Sequence, residues 1–289
     1  MKVSAFVLLF FVFQFGFSQT LQPDLVQNPK FKKSRQKPVS SSEIDSKIPE
    51  GSGLTAWNEK LWTHNDSNDS RIFSLDTIDG KITDEFQIPA KNKDWEEISQ
   101  DEDYFYLGDF GNNSGKRDTL RIYRMKKTDV LQKAIILDTI SVTWPNRINL
   151  DCEAMIVIGD SIFLFTKEWK TERQTRIFSL PKLPRKYEAN YKATLKTKVL
   201  ITGASYNREK KRLVLCGYNL VLRPFLLVFD EISGTDFFSG KARQIKIKKR
   251  LRQIEGIATF DGNRYYLISE DFSRAFIKTH QKLFTVDID

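Results

Sequence analysis

Short apolar runs separated by polar turns recur along most of this chain. The clearest group lies between Asp151 and Pro181, where three apolar segments of strand length are divided by turn residues. Runs of this length, without a sustained apolar stripe of helical period, indicate β-strands. Four other segments repeat the same order of strands and turns. The residues that open the five repeats are Ser52, Glu96, Glu153, Thr202 and Glu255.

The spacing of these repeats predicts the architecture. They recur at intervals of about 50 residues, with up to four strands in each unit, which is typical of β-propeller blades. A single blade leaves both faces of its sheet uncovered, so the units must stack on one another. We therefore predict an all-β protein, a β-propeller of five four-stranded blades. Six blades are the alternative if the N-terminal region holds more structure, and a long β-sandwich explains the repetition less well.

Three regions divide the chain. Residues 1–19 contain one basic residue, an apolar run and a small residue before a polar one, which predicts a secretory signal peptide. Residues 20–50 are polar and rich in proline, and we interpret them as an arm or linker. Residues 51–289 form the predicted propeller domain. Its last unit has only three strands before Asp289, so we expect a strand of the arm to complete that blade and cover its edge.

Composition fits an exported globular protein. Apolar residues make up 40% of the chain and include 22 Phe, enough for a large core. Because no apolar run reaches the roughly 20 residues of a membrane span, we predict no membrane-spanning segment. We expect a monomer in the periplasm or outside the cell. Cys152 and Cys216 are too few for a disulfide framework, so two buried free thiols are favoured over a disulfide.

The formal net charge of +9 raises the question of an anionic partner. A basic exported protein could approach nucleic acid, anionic polysaccharide or lipopolysaccharide. The cations form two local clusters, and charges on outer strands also protect sheet edges from pairing. We favour edge protection over a polyanion site and predict no nucleic-acid partner. The clusters contain Lys30, Lys32, Lys33, Arg35 and Lys37, and Lys246, Lys248, Lys249, Arg250 and Arg252.

The blade openings place acidic residues near the central channel, because the first strand of each propeller blade lines it. Glu96, Glu153 and Glu255 open three repeats, whereas Ser52 and Thr202 open the other two. Such glutamates commonly accept hydrogen bonds from backbone N–H groups of a neighbouring blade. The alternatives are a hard cation such as Ca²⁺, for which the three glutamates are the candidate ligands, and recognition of a ligand without metal. No other cofactor is predicted.

The ends of the second strands are expected to converge on one mouth of the channel. Their side chains predict a polar, mainly acidic funnel on a basic protein. His64 lies in this set and is the candidate catalytic residue, as a general base, although a lone histidine is more often structural. Trp169 is the candidate platform for stacking a sugar ring. The candidate ligand-binding residues are Asn65, Asp66, Asp109, Lys167, Glu168, Trp169, Tyr218 and Glu270.

The opening sequences Q-I-E-G-I, D-C-E-A-M, W-E-E-I and S-G-L resemble those of secreted propellers of the SdiA-regulated and phytase-like (esterase-like) groups. In those groups E-[GA]-[ILM] recurs at blade starts. The resemblance covers about residues 51–289 and implies a propeller, with an enzymatic activity implied only by distant similarity. Ser52 and Thr202 depart from the pattern, so a symmetric ring of metal ligands would be reduced to three glutamates.

Two functional hypotheses follow. The first is a non-enzymatic propeller that binds a small molecule, a glycan or an envelope protein at its acidic mouth. The second is a hydrolase of a phosphoester or lactone, in which Ca²⁺ polarises the substrate. The first is favoured because the chain has no G-x-S-x-G elbow, Walker loop or dinucleotide fingerprint.

Overall fold

The computed structural model describes residues 26–168, 174–274 and 277–289, and the regular secondary structure of this part of the chain is almost entirely β-strand. Its helices are one α-turn, α1 (Lys127–Leu131), and a 3-10 turn at Pro145–Arg147. No helix in the described ranges is long and apolar enough to cross a membrane. In chain order the strands are β1 (Val26–Gln27), β2 (Lys32–Gln36), β3 (Ser40–Glu43), β4 (Gly51–Trp57), β5 (Lys60–Asn65), β6 (Arg71–Leu75), β7 (Ile82–Gln87), β8 (Trp95–Gln100), β9 (Tyr104–Asp109), β10 (Leu120–Lys126), β11 (Asp138–Thr143), β12 (Cys152–Ile158), β13 (Ser161–Thr166), β14 (Gln174–Pro181), β15 (Lys186–Glu188), β16 (Asn190–Lys196), β17 (Leu200–Asn207), β18 (Arg212–Tyr218), β19 (Pro224–Asp230), β20 (Lys241–Ile247), β21 (Ile254–Thr259), β22 (Arg264–Ser269), β23 (Phe272–Arg274), β24 (Ile277–Thr279) and β25 (Lys282–Asp287).

These strands form five blades arranged in a ring. From the centre outward, blade one is β4–β7, blade two is β8–β11, blade three is β12, β13, β14 and β16, and blade four is β17–β20. Blade five is β21, β22, β25 and β3. The innermost strands β4, β8, β12, β17 and β21 contact one another in that order, and β21 contacts β4. The prediction of an all-β, five-bladed propeller is therefore confirmed.

Blade five joins the two ends of the chain. Strand β3 of the arm pairs antiparallel with β25, so that Ser41 lies opposite Phe284. The Ser40 hydroxyl donates a hydrogen bond of 2.8 Å to the hydroxyl of Thr285. The Val39 N–H donates to the Thr285 carbonyl at 2.7 Å. The expected closure of the ring by a strand of the N-terminal arm is thus confirmed.

Three blades carry a fifth, outermost strand that the repeat pattern does not predict. Strand β15 pairs in parallel with β11, β1 pairs in parallel with β16, and β2 pairs in parallel with β20. Within the described residues the arm therefore contributes three strands, and four strands per blade holds only for blades one and five. Parallel pairing requires a long connection, so it leaves no local turn signal in the sequence.

The core lies between neighbouring blades, where the apolar faces of adjacent sheets pack together. Trp62 and Trp95 are buried between blades one and two, and Trp144 packs against Phe178 with ring centroids 4.7 Å apart. These three tryptophans are therefore part of the core packing and are not exposed for stacking on a sugar ring. Cys152 and Cys216 are both buried, and neither forms a disulfide; Cys216 belongs to the packing between blades four and five.

Candidate functional site

Each innermost strand has an irregular register with its neighbour, in four blades at the residue that opens the blade and in blade one directly after Ser52. In blade three, Cys152 pairs with Thr166 and Ala154 with Phe165, so Glu153 is an extra residue in the strand. The same shift in register occurs at Glu96 and at Glu255. A β-bulge interrupts the alternation of side chains and redirects the inserted residue. The bulges therefore explain why these three glutamates leave the strand faces and gather at one end of the channel.

Lys167, which directly follows β13, is the central cation of this cluster. Its Nζ lies 2.8 Å from Oε1 of Glu153, and both side chains are nearly inaccessible to solvent. Glu255 and Glu96 also interact electrostatically with the ammonium group. Burial lowers the pKa of Lys167, but attraction to these carboxylates outweighs it and raises the pKa well above its usual value. Lys167 therefore stays charged.

The carboxyl groups around Lys167 repel one another. Burial raises the pKa of Glu96 well above its usual value, and the neighbouring Glu153 raises it further. Burial likewise raises the pKa of Glu255 to about 8. It also raises the pKa of Glu270 to about 8 and that of Asp66 to about 7. We call the set of Asp66, Glu96, Glu153, Lys167, Glu255 and Glu270 the acidic mouth.

Some carboxyl oxygens in the acidic mouth and in the neighbouring Asp151 have no partner among the described residues. Three of these oxygens are buried and accept no hydrogen bond: Oε2 of Glu255, Oδ2 of Asp151 and Oδ1 of Asp66. The other oxygen of Asp151 accepts a hydrogen bond of 2.8 Å from the Asn112 N–H. Tyr218 hydrogen-bonds Glu255, and its ring centroid lies 5.9 Å from Nζ of Lys167. These buried oxygens are therefore free to accept hydrogen bonds, and buried acceptors in proteins nearly always do.

A cavity of about 460 Å³ opens beside Asp151 and Lys167. Its volume is within the range of small-molecule sites, roughly 300 to 1,000 Å³. Its wall consists largely of amide, hydroxyl and charged side chains. They include Asn112, Asn113, Ser114, Asn149, Glu168, Gln174, Arg176 and Thr194.

Another buried acidic residue, Glu97, lies on the channel axis. Its Oε1 accepts hydrogen bonds from the N–H groups of Leu54 at 3.3 Å and Ile98 at 3.1 Å. Its Oε2 accepts from the Ala204 N–H at 3.2 Å, and the Met155 N–H also donates to this carboxyl group. One side chain thus hydrogen-bonds blades one to four. Burial raises the pKa of Glu97, and these four donors oppose that effect.

Glu97 performs the role that the sequence suggested for the glutamates opening the blades. Those glutamates point into the acidic mouth, whereas their next neighbours face the axis. The residues at the axial position in the other four blades are Gly53, Ala154, Gly203 and Gly256. A Cβ atom at Gly53 would lie 2.8 Å from Cα of Glu97, so the strands leave room for little else. The signal available in the sequence was a single carboxylate in a column of small residues.

His64 lies outside the cavity. Its side chain is fully buried, packs edge-on against Trp95 with ring centroids 5.9 Å apart, and contacts the Asn65 carbonyl through Nδ1 at 2.9 Å. Nε2 is directed toward the axis, 2.9 Å from the position of a Cβ atom at Gly53. Burial lowers the pKa of His64 to about 4, so the ring is neutral at pH 7. These contacts are those of a structural histidine.

Other candidates from the second strands hold loops in place. Asn65 donates to the Lys47 carbonyl at 2.9 Å. Asp109 is fully buried in an ion pair of 2.7 Å with Arg117. Glu168 pairs with Arg176 at 2.7 Å and lines the cavity. Trp169 lies outside the described residues.

The residues present do not resemble a metal centre. Among the described residues, no group of three or more His, Cys, Asp or Glu side chains is placed to hold a metal ion. Lys167 already supplies positive charge to Glu96, Glu153 and Glu255. The calcium hypothesis stays a prediction.

The fold and this site define the class of protein: a five-bladed β-propeller with a buried acidic cluster and a polar cavity at one mouth of its channel. No protein-family model matches the chain, and no curated protein matches it significantly.

Proposed function

We propose that this protein binds a small polar molecule, rich in hydroxyl or amino groups, at the acidic mouth, without a catalytic step. Sugars and amino sugars belong to this ligand class. The observation that carries the proposal is a pair of buried carboxyl oxygens that accept no hydrogen bond: Oε2 of Glu255 in the acidic mouth, and Oδ2 of Asp151, which lines the cavity of about 460 Å³ together with Lys167. Buried acceptors without donors cost free energy, and a donor-rich ligand would relieve that cost.

Two blades indicate that a carboxylate at the opening position is not needed to build the ring. In blade one the opening residue Ser52 donates to the Glu96 carbonyl at 2.9 Å. In blade four Thr202 donates to the Ile254 carbonyl in the same way. Uncharged residues thus join neighbouring blades. Glutamates at the same position in three blades gather buried carboxyl groups with raised pKa values instead, and such clusters of perturbed carboxyl groups are frequent at functional sites.

Export is part of the proposal. It rests on the basic, apolar and small-residue pattern of residues 1–19, which lie outside the described structure. A periplasmic or extracellular location would expose the mouth to glycans and to envelope proteins. The resemblance of the blade openings to the SdiA-regulated and phytase-like groups agrees with an exported propeller and specifies no substrate. The metal-assisted hydrolase is the less favoured alternative, because His64 is not among the residues that line the cavity.

Removal of one acceptor tests the proposal. Purified wild-type protein is titrated calorimetrically with monosaccharides, amino sugars and polyamines, and we expect micromolar binding by one of these classes. In titrations at pH 9, above the pKa of about 8 at which Glu255 ionises, Glu255→Gln should weaken that binding about tenfold or more, since a hydrogen bond to a charged group contributes about 1.5–3 kcal/mol.

The matched control is Glu209→Gln, which changes an exposed carboxylate in the turn between β17 and β18. It should bind as the wild type does. The proposal fails if none of the three classes binds at micromolar concentration, or if Glu255→Gln and Glu209→Gln bind equally well.

A further inference from the structure

A short loop on the rim of the channel mouth carries two consecutive exposed apolar side chains. It connects β18 to β19 in blade four, and Leu220 and Val221 in this loop are 58% and 59% exposed. Tyr218, the last residue of β18, hydrogen-bonds Glu255 of the acidic mouth. The loop therefore extends from the same end of the propeller as the acidic mouth. We call residues 219–223 the apolar loop.

The backbone of the apolar loop is held by hydrogen bonds. Oδ1 of Asn219 accepts from the N–H groups of Val221 at 3.2 Å and Arg223 at 3.0 Å. The Asn219 N–H donates to the Arg223 carbonyl at 3.1 Å, and the Leu222 N–H donates to the Asn219 carbonyl at 2.8 Å. The Leu222 carbonyl accepts from the Arg252 N–H at 3.0 Å, which joins the loop to the segment between β20 and β21. The exposure of the apolar pair is therefore set by a defined turn.

Two leucines in these adjoining loops have backbone conformations that bulky residues avoid. Leu222 has a φ of 51°, and Leu251, between β20 and β21, has a φ of 55°. Among the ten described non-glycine residues with positive φ, these are the two with apolar side chains. Strain of this kind is retained at sites where the surrounding structure enforces it, often for a function. Neither the strain nor the exposed apolar pair stabilises the fold, so a partner outside the fold explains the loop better.

The corresponding loop of blade one shows that the propeller does not require apolar residues at this position. That loop connects β5 to β6, also the second and third strands of their blade, and its sequence is D-S-N-D-S at residues 66–70. Both loops place five residues between their strands. A polar sequence of the same length thus makes the same connection. Leu220 and Val221 are therefore not needed to join β18 to β19.

Cations lie beside the apolar loop. Arg223 is its last residue, and Arg250 lies in the segment that is hydrogen-bonded to it. Desolvation lowers the pKa of Lys246 on β20, and the charges of three nearby arginines lower it further. These arginines are Arg35, Arg223 and Arg250. The outer strands of blade four therefore bring four cations together next to the apolar pair.

Burial weakens the opposing charge of the acidic mouth at neutral pH. It raises the pKa of Glu255 and of Glu270 to about 8, so both carboxyl groups are mainly protonated at pH 7. Desolvation lowers the pKa of Arg252, and the charges of Asp271 and Glu43 oppose that effect. These two acids are fewer than the cations around the apolar loop. This part of the rim therefore carries a positive charge.

We propose that the apolar loop docks the protein on the surface of an anionic phospholipid bilayer. Peripheral proteins bind such a surface by burying apolar side chains between headgroups and acyl chains while their cations attract anionic headgroups. Leu220 and Val221 supply the apolar contact, and the neighbouring cations supply the charge. Charge complementarity selects an anionic bilayer, and two inserted side chains give reversible attachment. Docking in this way turns the acidic mouth toward the bilayer.

Removal of the apolar pair tests the proposal. All proteins are prepared without residues 1–19, because the apolar run of the predicted signal peptide would itself adsorb to lipid; the five blades are retained. Wild-type protein should cosediment with vesicles of phosphatidylglycerol and phosphatidylcholine in equal parts, and at least about tenfold more weakly with pure phosphatidylcholine. Leu220→Ser/Val221→Ser should lower the affinity for the anionic vesicles at least about tenfold, because both side chains lose their burial in lipid.

A second variant tests the electrostatic contribution. Arg223→Ser/Arg250→Ser should weaken binding about tenfold or more and make it less dependent on NaCl. The apolar control is Ile78→Ser, which changes a side chain that is 83% exposed in the turn between β6 and β7. The charge control is Lys126→Ser/Lys186→Ser, at exposed positions on blade two. Both controls should bind as the wild type does. All variants should keep the wild-type melting temperature, which separates lost binding from lost folding.

A fluorescent label measures insertion directly. Cys152 and Cys216 are buried, so an environment-sensitive dye will react selectively with the exposed thiol of Val221→Cys. Its emission should shift to shorter wavelength on the anionic vesicles, whereas the same dye on Ile78→Cys should show no shift. An unshifted dye on the loop would mean electrostatic adsorption alone and would overturn the proposal. So would a lack of binding to anionic vesicles, or equal binding by wild-type protein and Leu220→Ser/Val221→Ser.

Discussion

A single side chain determines how the centre of this propeller is filled. Glu97 accepts backbone hydrogen bonds from blades one to four, at a level of the channel where the other blades have glycine or alanine. The neighbouring Glu96, only one residue away, points instead into the acidic mouth. The bulge at Glu96 is what gives two successive glutamates such different surroundings.

This difference predicts different effects of the same substitution. Glu97→Gln would turn an amide N–H₂ group toward N–H donors and leave some of them unpaired, so we expect a loss of about 2–4 kcal/mol of unfolding free energy. Glu96→Gln should change the unfolding free energy by less than about 1 kcal/mol, because the raised pKa of Glu96 already favours its neutral form. Urea unfolding of the two variants measures both values, and equal losses would contradict the axial role of Glu97.

At this scale the sequence predicted part of the site. The convergence of Glu96, Glu153 and Glu255 followed from their equal positions in the repeats. The role of Glu97 did not, because alternation of side chains in a strand cannot reveal where a bulge shifts the pattern. His64 was the candidate general base because it lies beside Asn65 and Asp66 in the sequence. Its burial depends on how neighbouring blades pack, which the sequence of one strand does not show.

Strands of the arm join the blades at their outer edges. β3 completes blade five, where Phe284 and Leu283 of β25 are buried. β1 and β2 only extend blades three and four, which already have four strands. The three arm strands therefore differ in importance, since only β3 replaces a missing member of a sheet.

Two deletions separate these roles. Removal of residues 1–36 deletes β1 and β2, and the protein should still unfold in one cooperative transition with modestly reduced stability. Removal of residues 1–43 also deletes β3, uncovers the edge of β25 and should lower the melting temperature by more than about 10 °C or abolish cooperative unfolding. Circular dichroism melts compare the two, and similar curves would show that β3 does not close the ring.

The sequence predicted the strands within blades well, since each has its own apolar run and turn. It also predicted that a strand of the arm completes blade five, because the last repeat has only three strands. The outermost strands β1, β2 and β15 were not predicted. Each pairs in parallel with a strand that no local turn connects to it, so the pairing depends on the edge of the folded blade and not on nearby residues.

At the scale of the whole molecule, acidic residues are concentrated at the channel mouth although the net charge is positive. The chain carries a formal charge of +9, yet its channel mouth gathers five carboxyl groups with raised pKa values, four of which interact electrostatically with Lys167. Buried carboxyl groups with raised pKa values bind protons in the folded state that the unfolded chain releases. The unfolding free energy contributed by such a group is greatest at low pH and is lost as the pH rises through the folded pKa.

Stability should therefore fall between pH 6.5 and pH 8.5. Glu270 has a folded pKa of about 8, against 4.5 for an ordinary glutamate, and should account for about 1 kcal/mol per pH unit in this range. Glu270→Gln should flatten the decline, whereas Glu209→Gln should not. Below pH 6.5 the neutral His64 acts in the opposite direction, because the unfolded chain binds a proton there that the folded state accepts only near pH 4. Urea titrations at several pH values measure the slope, and a wild-type profile that rises toward pH 8.5 would contradict this account.

The pairing of β3 with β25 also constrains how the protein is made. The Ser40 and Thr285 hydroxyl groups that meet in blade five are 245 positions apart in the sequence. A ribosome releases the arm long before its partner exists, so the ring cannot be sealed until β25 has been translated. Until then the edge of the unfinished sheet is open to strands of other chains, and crowding of nascent copies would favour exchange of arms between them.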